Sequence, residues 1–587
     1  MKSFLKYTLA SIVGFLIASL IMFLISLAVI GTIISSTDKE VTVKSNSILH
    51  LQFDKAIPDR SSENPFEDFD FANFKPNITV GLTDIVRDIK LAKTDANIRG
   101  IYLDLSIIPA GYGAIEEIRN ALIDFKKSKK FIISYANYYS HGSYYLATVA
   151  DSIFLNPQGE LVFLGLRSEQ LFFKGALEKL GLEPQIIRHG KFKSAVEPLT
   201  NDRMSDANRE QLTTLLSALW NHMLDGISEK RKIDKVELNR LADGIVIRNA
   251  QMALEHKLID GIRFKDEILT SLTKLSGVSS QKKLEFVTLS KYNKVPKSKK
   301  GFSKNKIALV YASGEINMGL GDNETIGSEG LSKAIREARQ DSSVKAIVLR
   351  IDSPGGSALA SDIIWRELSL AAKVKPLIVS MGSVAASGGY YIAAPADTIL
   401  ADPTTITGSI GVFGVLLNTK NFLNNKLGIT TDVAKTNVHS DLGSIYRPLL
   451  PEEREVIQSG VENIYDVFLS RVAEGRKLTK ASVDSIGQGR VWSAADAKRL
   501  GLVDLIGGLD KAIEIAAAKA HLKEYRIIDL PKVEDPLTLL LNDFSSKIKA
   551  SVISSELGNE QTIYYNLKNA INRQGILTRM PYEINIY

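Results

Sequence analysis

Apolar positions along the chain follow two patterns. From Leu9 to Ile34 they are almost continuous, and no residue from Tyr7 to Thr37 is charged. A run of that length crosses a hydrocarbon core of about 30 Å at roughly 1.5 Å per residue. Further on, short apolar runs alternate with helical stretches, as in buried parallel strands linked by helices. The clearest series predicts strands at 307–311, 346–351, 376–380 and 398–401, with helices at 330–340, 358–371 and 388–394. Two longer helices are predicted at 205–230 and 451–475. The expected fold class is therefore α/β, with largely parallel pairing.

The series occurs twice. Sliding the sequence by 246 positions sets Val80-Gly81 on Ile326-Gly327, Ile101 on Ile347 and Tyr144-Tyr145-Leu146-Ala147 on Tyr390-Tyr391-Ile392-Ala393. Asp151 meets Asp397 and Gly165 meets Gly411, while Asp260 meets Asp504 after a drift of two residues. A period this long marks a duplicated domain and not a solenoid. The expected organisation is a membrane segment at 1–40, a first repeat at 46–290, a linker at 291–306, a second repeat at 307–540 and a tail at 541–587. Extra residues of the first copy within 58–77 read as a surface loop. No role is assigned to the tail.

Composition is that of a folded protein, with 45% hydrophobic and 24% charged residues. The formal net charge of +7 suggests a nucleic-acid or membrane partner until its source is found. Seven lysines between Lys291 and Lys306, with no acid among them, account for the whole excess. The basicity marks a linker, and no nucleic-acid partner is expected. Lys2 and Lys6 precede the first apolar run, and Asp38-Lys39-Glu40 follow it. That asymmetry keeps the N-terminus in the cytoplasm and exports the remainder. Ile33-Ile34-Ser35-Ser36 is a poor cleavage site, so residues 9–34 are expected to stay in the bilayer as an anchor. The absence of cysteine excludes disulfides, thiolate nucleophiles and zinc–thiolate sites.

Candidate chemistry lies where strands give way to helices. Asp352-Ser353-Pro354-Gly355-Gly356-Ser357 follows a predicted strand and precedes a helix. Paired glycines there let a backbone N–H approach a ligand, as an oxyanion donor must. Thirty residues on, Ala385-Ala386-Ser387-Gly388-Gly389-Tyr390-Tyr391 leaves the Ser387 hydroxyl between small neighbours. The N–H of Gly388 is then a second donor. A helix cap would also explain Ser387, but the aligned residue of the first copy is His141, which is no cap. A serine nucleophile needs a base. None of the seven histidines (His50, His141, His189, His222, His256, His439, His521) lies in a triad motif. A desolvated lysine can serve instead. Lys193, in Gly190-Lys191-Phe192-Lys193-Ser194-Ala195-Val196-Glu197-Pro198, is the candidate, although a solvated surface lysine fits that residue taken alone.

Taken together, the motifs around Gly355-Gly356, Ser387 and Lys193 resemble those of the signal peptide peptidase A family in its long, two-repeat form. The duplication and the N-terminal apolar run match as well, so the resemblance covers roughly residues 1–540. It implies two tandem Clp-protease/crotonase-like domains of spiralled ββα units. It also implies a membrane-bound serine endopeptidase with Ser387 as nucleophile, Lys193 as general base and Gly356 and Gly388 as the oxyanion hole. Ser409, in Thr407-Gly408-Ser409-Ile410-Gly411, would hold the lysine. Further implications are cleaved signal peptides and other short apolar peptides as substrates, a bowl-shaped homotetramer, catalytic domains on the extracytoplasmic side of the inner membrane, and no metal or cofactor. Each copy retains half of the set. The second has Ser387 and Ser409 but His439 in place of Lys193, and the first has His141 and Phe163 in place of the serines. Three rivals remain: a Ser387/His439 hydrolase, an acyl-CoA enzyme of the crotonase type, and a catalytically silent membrane scaffold. For Tyr390, Tyr391 and the loop around Phe413, core packing is expected ahead of a role in the groove.

Overall fold

The computed structural model describes residues 2–37, 41–61, 69–70, 75–76, 79–278, 284–296, 303–322, 324–532 and 575–580. Lys2–Thr37 is one helix. Most side chains of its second half lie outside the described residues, as do residues 38–40. Among the described residues no helix is long and apolar enough to cross a membrane. The anchor at 9–34 therefore stands as an expectation from sequence. Of the loop expected within 58–77, residues 62–68, 71–74 and 77–78 also lie outside the described residues.

Each repeat builds its own sheet. In the first the order is Gly261–Ile262, Ser152–Leu161, Phe131–Tyr139, Ile98–Leu105, Ser47–Leu51 and Phe286–Thr288, and every pair is parallel. The second runs Val491–Ser493, Ile406–Gly408, Leu377–Ala386, Val344–Ser353, Lys306–Ser313 and Arg526–Leu530, with Thr398–Ala401 and Leu505–Ile506 attached beside Leu377–Ala386. Strands at 98–105 and 131–139 occupy the places of 344–353 and 377–386, so the duplication seen in sequence is also one of structure. Helices Tyr112–Lys126 and Ala358–Ala372, then Asp206–Arg231 and Pro451–Arg476, repeat in the same way. Helices cover both faces of the second sheet. That is why Ile347, Val348 and Leu349 are consecutive apolar residues and all fully buried.

A third sheet draws its strands from both repeats and the tail. Its order is Thr325–Gly327, Glu315–Asn317, Gly355–Ser357, Gly575–Arg579, Phe413–Asn418 and Glu183–Arg188. Glu183–Arg188 of the first repeat runs antiparallel to Phe413–Asn418 of the second, from Glu183↔Asn418 to Arg188↔Phe413. This pairing delivers the chain that follows it, with Lys193, onto the second repeat. The tail, without an assigned role in the sequence reading, supplies the strand Gly575–Arg579. The expected linker also needs correction at its start. Helix Leu289–Tyr292 enters it, and Tyr292 is buried with its hydroxyl donating to Asp95 at 3.0 Å. The first repeat thus extends past residue 290, and residues 297–302 lie outside the described residues.

A buried charge cluster fastens the repeats together. Arg350, on a central strand of the second, donates from Nε and Nη2 to Asp59 at 3.0 and 2.8 Å and pairs with Glu117 at 2.6 Å. Glu117 in turn accepts from the Leu509 N–H at 3.1 Å. Burial pushes the Glu117 and Asp402 carboxyls up, and burial followed by the charge of Asp59 takes Asp352 to about 7. One guanidinium therefore balances several desolvated acids, and removing it strands them. Arg350→Ala should cost about 3–5 kcal/mol, read as a fall in denaturation midpoint. The loss should be larger at pH 8 than at pH 5, because acids with raised pKa take up protons at the lower pH and then need the guanidinium less.

Candidate active site

Strand Leu377–Ala386 ends in a sharp turn at Ser387, whose φ of 55° and ψ of −115° are strained for a residue with a Cβ. The turn is held by the Ser387 N–H donating to the Gly408 carbonyl at 2.8 Å. Ser387 precedes helix Gly388–Ala393, yet its side chain makes no capping hydrogen bond. The cap explanation therefore falls. The hydroxyl points to a lysine: Lys193 Nζ lies 2.8 Å from Ser387 Oγ. The same Nζ is 3.0 Å from Ser409 Oγ and 3.1 Å from the Ser409 carbonyl oxygen.

Lys193 is fully buried, and burial lowers its pKa well below the ordinary lysine value. All three of its hydrogen-bonding neighbours are uncharged oxygens. No carboxylate is among them to hold a charge on the amine. In the neutral form that burial favours, two N–H groups can serve the two Ser409 acceptors and the lone pair can face the Ser387 hydroxyl. The ring of Phe413 lies 5.9 Å from Nζ and closes one wall.

The position of the lysine depends on residues that its sequence motif does not reveal. Gly489, at φ +84°, packs so closely that a Cβ there would come 2.6 Å from Lys193 N and Cβ. The Phe192 N–H donates to the Gln488 carbonyl at 2.9 Å, and the Ser409 N–H to that of Arg490 at 2.7 Å. One turn, 488–490, thus holds both the lysine segment and its serine neighbour. From below, Gln211 Nε2 donates to Ser194 Oγ at 2.8 Å and to the Phe192 carbonyl at 3.0 Å. Asn208 Nδ2 donates to Glu197 at 3.0 Å. Of these supports only Glu197 lies in the motif. Asn208 and Gln211 sit on helix Asp206–Arg231 with no motif to flag them.

The glycine turn lies alongside. Gly355, at φ +95°, has no room for a Cβ, which would come 2.6 Å from the Gly388 nitrogen. Gly356 pairs with Ile316 in the third sheet. Tyr390 and Tyr391 are buried, donating to the Leu502 carbonyl at 2.8 Å and to Asp362 at 2.6 Å, which are packing roles. His439 is turned away on an exposed loop, with Nδ1 3.1 Å from Glu453. Among the described residues no group of three or more His, Asp or Glu could hold a metal ion.

The first repeat has filled the equivalent place. His141 is buried, its pKa pushed down to about 4 by burial, and its Nε2 accepts from the Leu164 N–H at 3.1 Å. Phe163 and Trp220 pack at 5.4 Å between ring centroids, and Trp220 meets His141 at 5.9 Å. Aromatic rings occupy the space that the second repeat leaves for an amine.

The model of peptidase family S49 matches residues 124–279 and again 369–523. The first match contains Lys193, and the second contains Ser387 and Ser409. "Serine protease SPPA, chloroplastic" of Arabidopsis thaliana is 36% identical over 513 residues, covering 86% of this chain and 74% of the relative. "Protease 4" of Salmonella typhi is 38% identical over 481 residues, covering 80% and 77%. "Putative signal peptide peptidase SppA" of Enterococcus faecium is 32% identical over 234 residues, covering 39% of this chain and 68% of that protein.

A lysine whose pKa is lower in the fold than in the unfolded chain makes the unfolded state bind the extra proton between the two values. Its contribution is therefore complete above pH 10.5 and is lost as pH falls. The stability of the wild type relative to Lys193→Met should rise between pH 7 and pH 10, with a limiting slope of about 1.4 kcal/mol per pH unit. Denaturation midpoints of the two proteins across that range are the measurement. A flat difference would mean that the amine keeps its proton in the fold.

Proposed function

Because the chain belongs to peptidase family S49 and is a serine protease, we propose that Ser387 is its nucleophile and Lys193 its general base. One observation carries the reading: a fully buried Nζ lies 2.8 Å from Ser387 Oγ with no carboxylate among its hydrogen-bond partners. The neutral amine accepts the hydroxyl proton as Oγ attacks a peptide carbonyl. N–H groups of Gly356 and Gly388 take the oxyanion, and the turn abutting Gly388 supports that assignment. Lys193 then passes its proton to the leaving nitrogen as the C–N bond breaks, leaving the acyl group on Ser387. Water, deprotonated by the same amine, releases the acid. Ser409 keeps the amine aimed through all of these steps.

The successive parallel strand–helix units of both sheets favour the Clp-protease/crotonase arrangement. The proposed substrates are cleaved signal peptides and other short apolar peptides. The proposed setting is the extracytoplasmic face of the inner membrane, reached by the anchor at 9–34, in a homotetramer whose sites face an enclosed space. A Ser387/His439 pair is disfavoured, since His439 is engaged by Glu453.

Hydrolysis of an apolar peptide by single variants tests this. Ser387→Ala and Lys193→Ala should each lose at least about 10⁴-fold in kcat. Lys193→Arg should fail as well, because a guanidinium cannot give up its proton. His439→Ala should turn over like the wild type. The acid limb of the kcat/KM profile should lie well below 10.5, following the lowered pKa of Lys193. Full activity in Lys193→Ala would overturn the dyad. Gly489→Ala should cost about 10²-fold in kcat by displacing the lysine, with KM little changed.

A further inference from the structure

The turn that packs against Lys193 is strained. Gln488 has φ +51° and Gly489 φ +84°, so two consecutive residues are left-handed, the first of them with a Cβ. Such a conformation persists only where the surroundings fix it. Gln488 also carries the contact that matters: its carbonyl accepts the Phe192 N–H, one residue before the lysine, at 2.9 Å. Whatever holds Gln488 therefore holds Lys193.

The holder is a tyrosine that belongs to no motif. Tyr465, on helix Pro451–Arg476, is buried, and its Oη accepts the Gln488 N–H at 3.1 Å. The same Oη donates to Asp484 Oδ1 at 2.6 Å. Burial and then Asp484 push the Tyr465 pKa up, so the hydroxyl keeps the proton it donates. Asp484 lies on helix Lys480–Ile486, and its own carbonyl accepts the Gly487 N–H at 3.1 Å. The tyrosine ring faces the other way and stacks on His189, with centroids 4.1 Å and planes 28° apart. His189 opens the segment that leads to Lys193, and its N–H donates to the Val412 carbonyl at 3.1 Å. One side chain thus grips the turn by its hydroxyl and the lysine segment by its ring.

The duplication offers a comparison. In the equivalent helix Asp206–Arg231 the same place is taken by Trp220. Its Nε1 donates to Asn239 at 2.9 Å, and its ring packs on Phe163 and His141. The copy whose serine pocket is filled has no hydroxyl there, and the copy that receives the lysine has one.

We propose that Tyr465 is a positioning residue for peptide hydrolysis: through the Gln488 N–H it fixes the turn that sets Lys193 against Ser387. The proposal rests on the Ser387/Lys193 reading. Tyr465→Phe keeps the ring on His189 and removes only the acceptor of the Gln488 N–H. Its kcat for an apolar peptide should fall about tenfold or more, with KM within about twofold, because a displaced base loses its aim. The acid limb of its kcat/KM profile should move to higher pH, since a loosened turn admits water and returns the amine towards its ordinary pKa. Tyr144→Phe is the control. It deletes another buried hydroxyl, bonded to the Leu258 carbonyl at 2.7 Å, and should lower the denaturation midpoint while leaving kcat and the limb unchanged. Adding Gln488→Gly to Tyr465→Phe removes the left-handed strain and should restore kcat about threefold or more. Wild-type kcat and limb in Tyr465→Phe, losses no larger than in Tyr144→Phe, or no recovery with Gln488→Gly would each overturn the positioning role. Full activity in Lys193→Ala would sink the dyad reading instead, so the two failures are distinct.

Discussion

A lysine amine taken out of water is the constraint from which the rest of this structure follows. Lysine in water is protonated and useless as a base, and only removal from water brings it to the neutral form. Lys193 is kept dry by Phe413, by the close approach of Gly411 and Gly489, and by the surrounding core. Neither repeat could do this alone. The lysine comes from the first and the serines from the second, and the pocket closes only because strand Glu183–Arg188 is stitched to Phe413–Asn418. Burying such a group costs stability at neutral pH. The cost is offset elsewhere by two well-packed cores and by the Arg350 cluster across their boundary.

Duplication explains how half-sites survive. In the second repeat residues 429–434, aligned with Glu183–Arg188, form no strand. His439 stands on an exposed loop where the lysine would be. In the first repeat His141, Phe163 and Trp220 pack into what would be the serine pocket. A second dyad would need a second pocket, and that space is filled with rings. Each copy has kept what the shared pocket needs and become ordinary core or surface elsewhere.

Much of this was legible in sequence for physical reasons. Strands buried on both faces read as continuous apolar runs, so the middle of Val344–Ser353 and the first half of Leu377–Ala386 are legible, while the second half of the latter, with Gly382 and Ser383, is not. Helix Gly388–Ala393 and the long helix Pro451–Arg476 agree with their predicted spans to within a residue. Ser387 and Lys193 stand out by their motifs and Ser409 by the family resemblance, and the three, separated by up to 216 positions in the chain, are found together. What could not be read depends on single long-range contacts. Gly489 looks like any glycine until Lys193 is laid against it. Gln211 is one polar residue on an amphipathic helix, and only the fold turns it towards Ser194 and Phe192. Asp59 and Glu117 carry no signal in sequence because their partner Arg350 is hundreds of residues away. The tail strand has no periodicity long enough to stand out, and its register comes entirely from its neighbours.

The third sheet ties recognition to catalysis. A strand lying between Gly355–Ser357 and Phe413–Asn418, as Gly575–Arg579 does, is held by main-chain hydrogen bonds that depend little on its sequence. The strand that forms its far edge, Glu183–Arg188, belongs to the segment that carries Lys193. Seating an added strand and holding the Lys193 segment are therefore two tasks of one sheet. A bound strand clamps Phe413–Asn418 from the open side while Glu183–Arg188 holds it from the other, and Phe413 lies between the peptide and the amine. The lysine segment and the tail strand thus lean on one shared strand, and Lys193 is fully buried with both in place.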